Sequence, residues 1–176
     1  MSGHNKWAQI KRQKGAEDAK KSKLFSMLAR VITLESKKVG GNVSSPSLRT
    51  AIEKAKKQNM PNDNIDRAVK RGTGADAQTF EEFTYEAYGP GGAALIIEGL
   101  TDNKNRTLSE IKHILGEHSS SLASQGSALW AFGKGEEGWV PNSTMPLGEA
   151  EKNEFEKLYT ELDDHEDVKE VYTNAE

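Results

Sequence analysis

Few side chains in this 176-residue chain have the types and spacing that catalysis or metal binding needs. The chain has no cysteine, which excludes a cysteine nucleophile, a thiolate metal site and a disulfide framework. His113 and His118 fall on one predicted helix but five residues apart, whereas a helical zinc pair is spaced by about four. No serine lies in the pattern of a nucleophile elbow. The sequence therefore predicts a protein that is not an enzyme, with no catalytic residues, no metal site and no cofactor.

Two further motifs resemble ligand sites in composition only. The cluster Asp163–Asp167 has the charge of a calcium loop but neither its glycine nor its alternating ligands, so a solvated helix end is predicted there. The stretch Gly89–Gly92 is rich in glycine, but a predicted strand follows it and the Lys-Ser/Thr of a P-loop is missing. We predict a hairpin turn instead of a phosphate site.

The distribution of charge is the strongest functional signal. The first 75 residues contain 17 Lys and Arg against 6 Asp and Glu, and the other 101 residues contain 7 against 21, so the net charge of −3 describes neither part. A surface with an excess of one sign repels itself unless a polyanion compensates it. We therefore expect a basic domain over residues 1–75, an acidic domain over residues 76–176, and nucleic acid as the partner of the basic domain.

The most basic stretch runs from Lys6 to Lys23 and has only Trp7 and Ile10 as apolar anchors. It is predicted to be an arm that becomes ordered on binding. For Trp7 the sequence leaves two roles open: stacking on an unpaired base, or anchoring the root of the arm in a core. No membrane partner is expected, because no large apolar face accompanies the basic residues and no apolar run approaches the ~20 residues that span a bilayer.

Apolar periodicity predicts three helices in the basic half. The first covers roughly 17–38 and ends at Gly40-Gly41, and the second begins at Ser45-Pro46, a cap residue followed by a proline suited to the first helical position. The third begins at about Asn62, and Gly72 is predicted to end it in the left-handed conformation. Each helix has an apolar stripe and a basic outer face.

The acidic half is predicted to follow the order ββαββαβ. A capping box, Thr107–Glu110, opens the first helix, and the second begins at about Glu149. The five predicted strands are Phe83–Tyr88, Ala93–Leu100, Ser127–Phe132, Trp139–Met145 and Val168–Thr173. The predicted fold class is α+β, with an N-terminal three-helix domain followed by a ferredoxin-like α/β sandwich that has its helices on one face of the sheet.

Four stretches of the chain resemble the YebC family: SGHNKWAQIKRQKGAEDAKKSKLF, AIEKAKKQNMPNDNIDRAVKRGTG, YEAYGPGGAALIIEGLTDNKNRTLSEIKHIL and DDHEDVKEVYTNAE. That family includes probable bacterial transcriptional regulators and the mitochondrial translational activator of cytochrome oxidase. The resemblance implies a helical N-terminal domain followed by α/β domains, and regulation of gene expression through nucleic-acid binding without catalysis. Because it begins with the first residues, no cleaved targeting segment is expected, and the expected location is the cytoplasm.

The resemblance also implies that the basic opening segment is the nucleic-acid contact surface. The implied contact residues are His4, Lys6, Trp7, Lys11, Arg12, Lys14, Lys20, Lys23 and Arg30. Two targets stay open. DNA is the target if the protein is a transcriptional regulator, which agrees with how the family is described. Ribosomal RNA is the target if it is a ribosome-associated translation factor that relieves elongation stalls, and a flexible arm with one aromatic residue suits this target slightly better.

One departure from the family concerns its usual further α/β domain. Here the six residues GKGEEG connect the strand that ends near Phe132 with the segment Trp139–Leu147. Since an inserted domain leaves and returns at neighbouring points, the chain is predicted to be a short family member with an internal deletion. Trp130 and Trp139 are expected to be buried within the sheet, with self-association through them as the alternative. The oligomeric state is not predicted.

Overall fold

The computed structural model describes Trp7, residues 17–75 and residues 77–176. The helices are α1 (Glu17–Lys38), α2 (Pro46–Lys57), α3 (Asn62–Thr73), α4 (Lys104–Glu117) and α5 (Glu149–Asp164). The strands are β1 (Glu81–Tyr88), β2 (Ala94–Thr101), β3 (Ser121–Leu122), β4 (Phe132–Gly135), β5 (Gly138–Pro141) and β6 (Val168–Thr173). Two compact units result. The helical unit comprises residues 17–82 and 100–103 of the described chain, and the sandwich unit comprises residues 83–99 and 104–176 with Trp7.

The ends of the first two helices follow the predicted signals. After α1 the chain passes through Gly40 and Gly41 at φ of 59° and 79°, and the Gly41 N–H donates to the carbonyl of Ser36 at 2.9 Å. This is a glycine-dependent helix end. Pro46 is the first residue of α2, where its fixed φ suits the helix and its missing N–H costs nothing. The three helices of the basic half are thus confirmed.

Small residues allow α1 and α3 to approach each other closely. The Thr33 hydroxyl donates to the carbonyl of Ala68 at 3.1 Å, and a Cβ added to Gly72 would lie 2.6 Å from the Thr33 carbonyl oxygen and 2.7 Å from Ser36 Cβ. The prediction that Gly72 ends the third helix is wrong, because α3 continues to Thr73. Gly72 is needed for the close contact between the two helices.

Two apolar clusters hold the helical unit together. The main cluster lies among the three helices and includes Leu28, Ile32, Leu48, Ala55 and Ile65. A smaller cluster is formed by Met27, Phe80 and Leu100, with Val31 and Leu34 packed against it. The chain around residues 80 and 100 therefore belongs to the same body as α1.

The sandwich unit contains a four-stranded sheet in the order β3-β1-β2-β6. β2 pairs antiparallel with β6, with Leu95 opposite Thr173. Successive residues of β2 face opposite sides, so Leu95 packs in the cluster that contains Phe155 of α5, while Ile96 packs in the cluster that contains Phe132. The predicted α+β class is confirmed, with an α/β sandwich following an N-terminal helical region, and the hairpin β4–β5 adds cover to the second face.

The prediction of a strand over Ser127–Phe132 is wrong. The chain there forms a 3₁₀ turn, Leu129–Ala131, before β4, and β4 pairs only with β5. The backbone N–H groups of Ala128 and Leu129 donate to the carboxylate of Glu86 at 2.7 and 3.0 Å. Because a side chain of β1 takes these donors, they do not enter a strand ladder.

The prediction of a capping box at Thr107 is also wrong, and that of a solvated helix end at Asp163–Asp167 holds only in part, because α5 ends at Asp164 and Asp164 and Glu166 are exposed while Asp163 and Asp167 are buried. Helix α4 begins at Lys104, and the hydroxyl of buried Thr107 donates to the carboxylate of Asp167 at 2.7 Å. Asp167 is fully buried, and Arg106 donates to the same oxygen at 2.7 Å. The acidic cluster thus supplies a buried partner for a cation and a hydroxyl instead of only solvent-facing charge.

The two tryptophans near β4 and β5 differ in environment. Trp139 is half-buried, donates to Glu98 at 2.7 Å, and has the Lys134 ammonium 4.2 Å above its ring. Trp130 is 70 % exposed, so its expected burial is wrong.

Within the described chain, every helix is too short or too polar to cross a membrane.

Candidate nucleic-acid interface

The predicted contact residues fall into three groups. The first group lies outside the described residues: His4, Lys6, Lys11, Arg12 and Lys14. Their role as contacts stays a prediction. The second group is Trp7 alone, and the third comprises Lys20, Lys23 and Arg30 of α1.

Trp7 is a core residue of the sandwich unit. Its side chain is 1 % exposed, and its indole N–H donates to the carbonyl of Ala175 at 3.0 Å. The ring centroid is 4.8 Å from that of Phe155 and 5.8 Å from that of Tyr159. Of the two roles that the sequence leaves open, the structure shows the second, in which Trp7 anchors the segment in a core. A ring covered in this way is not available to stack on a base, so the inclusion of Trp7 among the contact residues is corrected.

The predicted contact residues Lys20, Lys23 and Arg30 of α1 are half-buried. The Arg30 guanidinium donates to the carbonyl of Leu100 at 2.9 Å and lies 5.4 Å from the centroid of the Phe80 ring. The ammonium of Lys20 is covered and has no hydrogen-bond partner among the described residues. Lys23 is half-buried as well. Arg30 is therefore held in place by a carbonyl and an aromatic face, an arrangement that fixes its charge in one position.

Arg30 lines a cleft of about 510 Å³ in the helical unit. Arg67 and Arg71 of α3 line it as well, and we call it the arginine cleft. The remaining lining residues are Ser22, Phe25, Ser26, Ala29, Thr33, Met60, Asn64, Ala68, Gln78, Phe80 and Asp102. Three arginines against one carboxylate make this a cationic cavity with polar and aromatic walls.

The spacing of Arg67 and Arg71 explains why both reach the cleft. Residues four apart lie on the same face of a helix, with Cβ atoms about 5–6 Å apart. Arg67 is oriented locally, since its guanidinium donates to the Asn64 side-chain carbonyl and to the backbone carbonyl of Asp63. Arg71 is exposed and forms no ion pair with any residue that the structure describes.

The walls of the cleft combine an apolar floor with hydrogen-bonding groups. Phe80 is buried and Phe25 half-buried, and the Lys21 ammonium lies 5.6 Å from the centroid of the Phe25 ring. Asn64 and Gln78 contribute amides, and Asp102 contributes an exposed carboxylate. Such a cavity can hold a planar group against an aromatic ring, donate to an anion and accept from an amine.

A second group of cations lies on the outer surface of the helical unit. Lys54, Lys56 and Lys57 of α2 and Lys70 of α3 are exposed, and none of them forms an ion pair within the described chain. On α1, by contrast, Glu35 pairs with Lys38 at 2.7 Å. The excess of positive charge is thus not neutralised by neighbouring carboxylates.

Sequence reasoning placed basic faces on all three helices but did not include Arg67 and Arg71 among the contact residues. Their four-residue spacing was a visible signal. That Arg30 lies opposite them is a consequence of the α1–α3 packing, which no local pattern contains.

The sandwich unit contains one cluster with metal-ligand chemistry. Ligand atoms of Glu110, His165 and Asp167 lie within 4.8 Å of one another. His165 Nε2 lies 2.8 Å from a Glu110 carboxylate oxygen, and its Nδ1 accepts from the Asp167 N–H at 3.2 Å. Because Asp167 also accepts from Arg106, a network of ion pairs and hydrogen bonds accounts for the arrangement.

Comparisons with known protein families match almost the whole chain. The model described as the TACO1/YebC protein N-terminal domain matches residues 5–75. The model described as the TACO1/YebC second and third domain matches residues 80–137 and 134–175. The two segments of the second match meet in the turn between β4 and β5, at the point where the sequence predicts that the further domain is missing.

Several relatives named probable transcriptional regulatory protein share this similarity. That of Desulfosudis oleivorans is 44% identical over 190 residues, covering 99% of this chain and 77% of the relative. That of Petrotoga mobilis is 46% identical over 184 residues, covering 100% of this chain and 71% of the relative. That of Pseudothermotoga lettingae is 55% identical over 134 residues, covering 75% of this chain and 53% of the relative, so this match spans about half of the relative's length.

A solved structure has the same fold. The crystal structure of the conserved hypothetical protein Aq1575 from Aquifex aeolicus superimposes with a TM-score of 0.80 at 31% sequence identity. The superposition covers 90% of this chain and 91% of that chain.

Proposed function

Since this chain belongs to the TACO1/YebC family, we propose that it is a non-enzymatic regulator of gene expression that acts in the cytoplasm and binds nucleic acid through the basic residues of its first 75 positions. The observation that carries the proposal is the set of exposed cations on α2 and α3 that have no acidic partner among the described residues. When such cations bind a phosphate backbone, they release the counterions condensed on it, and this release favours the complex.

Promoter DNA is the first candidate target, and the name probable transcriptional regulatory protein carried by the relatives supports it. Ribosomal RNA is the second, which would make the protein a translation factor. The concave shape of the arginine cleft supports this alternative. Ribosomal RNA has unpaired bases that can enter a cavity, whereas the bases of duplex DNA are paired and cannot.

The target can be tested by crosslinking the protein to nucleic acid in cells and sequencing what it retains. Enrichment of particular promoter regions is expected for a transcriptional regulator, and enrichment of defined segments of ribosomal RNA for a translation factor. Recovery of neither above the level of an unrelated acidic protein would refute the proposed function.

The contact surface can be tested with two triple variants of the full chain. The arm variant carries Lys11→Ala, Arg12→Ala and Lys14→Ala, and the matched helix variant carries Lys54→Ala, Lys56→Ala and Lys57→Ala. For duplex DNA each lost phosphate contact reduces the slope of log K against log salt by about 0.9. We expect the arm variant to bind more weakly, with a slope flattened by about three units at most. An unchanged affinity of the arm variant would contradict the predicted arm contacts and assign binding to the helices.

A further inference from the structure

We propose that the arginine cleft binds one unpaired nucleotide of a single-stranded nucleic acid. This inference rests on the proposed function and specifies where and in what form the nucleic acid is bound. It concerns Arg30, Arg67 and Arg71, which line one cavity of about 510 Å³.

The shape of the cleft favours an unpaired nucleotide over a duplex. A cavity of this size is within the range of about 300–1,000 Å³ that holds small molecules in proteins. A duplex is a convex cylinder whose bases are stacked inside, so it can touch the rim of the cleft through its phosphates only. A base in a single strand can turn out of the stack and enter a cavity.

The arginines supply the contacts that a phosphate needs. A guanidinium is planar and presents paired N–H donors that match two phosphate oxygens. Arg67 is already oriented by its bonds to Asn64 and Asp63, so little side-chain freedom is lost when an anion binds. Arg71, one turn further along α3, is exposed and can contact the same phosphate or the next one.

The walls of the cleft fit a base better than an acidic peptide. Half-buried Phe25 lines the cleft, so its ring is the candidate for stacking on a base, as aromatic residues do in single-strand recognition. The Asp102 carboxylate accepts from exocyclic amines of bases such as cytosine, whereas it repels the carboxylates of an acidic peptide. The amides of Asn64 and Gln78 add donors and acceptors suited to base edges.

The test compares two double variants of the full chain by fluorescence anisotropy. The cleft variant carries Arg67→Gln and Arg71→Gln, and the matched control carries Lys112→Gln and Lys169→Gln, which remove the same charge from exposed residues of the sandwich unit that do not line the cleft. The probes are a labelled 12-nucleotide strand of adenine and cytosine, which does not pair with itself, and the same strand annealed to its complement. Loss of charged hydrogen bonds predicts single-strand binding weakened about tenfold to a hundredfold in the cleft variant and about threefold or less in the control. Both variants should lose about threefold or less in affinity for the duplex, because a duplex touches only the rim of the cleft.

Equal losses by the two variants on the single strand would overturn the cleft proposal and leave the proposed function standing. Absence of binding by the wild type to both probes would instead refute the proposed function. Displacement of the single strand by polyglutamate as readily as by unlabelled strand would show a general anion surface and also overturn the proposal.

A second measurement does not depend on the stability of the variants. The wild-type protein is crosslinked by ultraviolet light to the same strand carrying one 5-iodocytosine, and the attached peptide is identified by mass spectrometry. Attachment within the segment of α1 that contains Phe25 supports the proposal. Attachment confined to peptides outside the cleft refutes it.

Discussion

The carboxylate of Glu86 should determine the stability of the loop that leads into β4. Glu86 lies on β1 with 4 % of its surface exposed, and it accepts hydrogen bonds from the backbone N–H groups of Gly126, Ala128 and Leu129 at 2.6, 2.7 and 3.0 Å. Ala128 and Ala131 of this loop also pack in the apolar cluster that contains Phe132, so apolar packing and the carboxylate are two separate ways to order the loop. Removing this one acceptor with Glu86→Ala therefore tests what orders the loop.

The cost of the substitution follows from the burial of the three donors. An unsatisfied buried N–H costs about 1–3 kcal/mol. The bond from Ala128 is fully buried, while those from Gly126 and Leu129 are partly buried, and water can replace the carboxylate there in part. Counting one full and two partial losses, we expect Glu86→Ala to lower the free energy of unfolding by about 2–5 kcal/mol. Glu86→Gln keeps one acceptor oxygen and should cost about half as much.

The assay is urea unfolding followed by far-ultraviolet circular dichroism and by tryptophan fluorescence. Trp130 is already 70 % exposed, so the change in fluorescence comes chiefly from buried Trp7 and half-buried Trp139, and the two signals together report unfolding of the sandwich unit. The matched control is Glu82→Ala, which removes an exposed acid from the same strand and should change stability by about 0.5 kcal/mol or less. If Glu86→Ala were as stable as this control, the carboxylate would not be what orders the loop, and the reasoning would be refuted.

Three further predictions concern other parts of the molecule. Burial lowers the pKa of His118, but the hydrogen bonds with Glu154 at 2.7 Å and Glu161 at 3.0 Å outweigh it and raise this pKa above its ordinary value of 6.5. The stability that the wild type gains over His118→Gln should therefore be complete below pH 6.5 and be lost as the pH rises through the raised pKa. Urea unfolding of both proteins over this pH range checks the prediction, and a difference in stability that stays constant with pH would contradict it. Lys157, 3.3 Å from Glu154, is the other charged side chain that faces the His118 cluster. Gly72→Ala should destabilise the helical unit by about 1–3 kcal/mol because α1 and α3 must separate. Gly116→Ala on α4, with no atom within 4 Å of the new methyl, should instead stabilise the protein by about 0.5–1 kcal/mol. Thermal unfolding of both variants checks this, and a higher unfolding temperature for both would exclude the tight contact at Gly72. Trp7→Phe removes the bond to Ala175 and part of the ring and should cost about 1–3 kcal/mol in urea unfolding, while full stability would show that the indole is dispensable to the core.

The predictions from sequence succeeded where a local pattern and the tertiary environment agree. The α1 stripe is periodic and ends at two glycines, and β2 is a continuous apolar run, so both were placed correctly. They failed where a distant residue decides the local structure. Leu129 looks like part of a strand until Glu86 takes its N–H, and Gly72 looks like a helix end until Thr33 is packed against it. The α+β architecture was therefore accessible from the chain alone.

The candidate site was less accessible for the same reason. The excess of basic residues is a property of composition, and it indicates a polyanionic partner without locating the contact. The arginine cleft depends on the side-by-side packing of α1 and α3, which brings Arg30 opposite two residues about 40 positions later in the chain. Trp7 is a case in which tertiary structure excludes a role that the sequence allows. An aromatic residue in a basic segment is typical of base stacking, but the structure buries Trp7 in the core of the sandwich unit.

The turn between β4 and β5 has a consequence for how this chain can be extended. Gly135 and Gly138 are register partners, with only Glu136 and Glu137 between them, so the chain departs and comes back across one strand spacing of about 5 Å. A foreign module whose own ends are adjacent can be spliced between the two glutamates without pulling the hairpin apart, and closing the longer loop adds little entropy cost. A fluorescent protein grafted there should leave the urea midpoint of the sandwich unit unchanged, which makes this turn a natural attachment point for reporters in living cells.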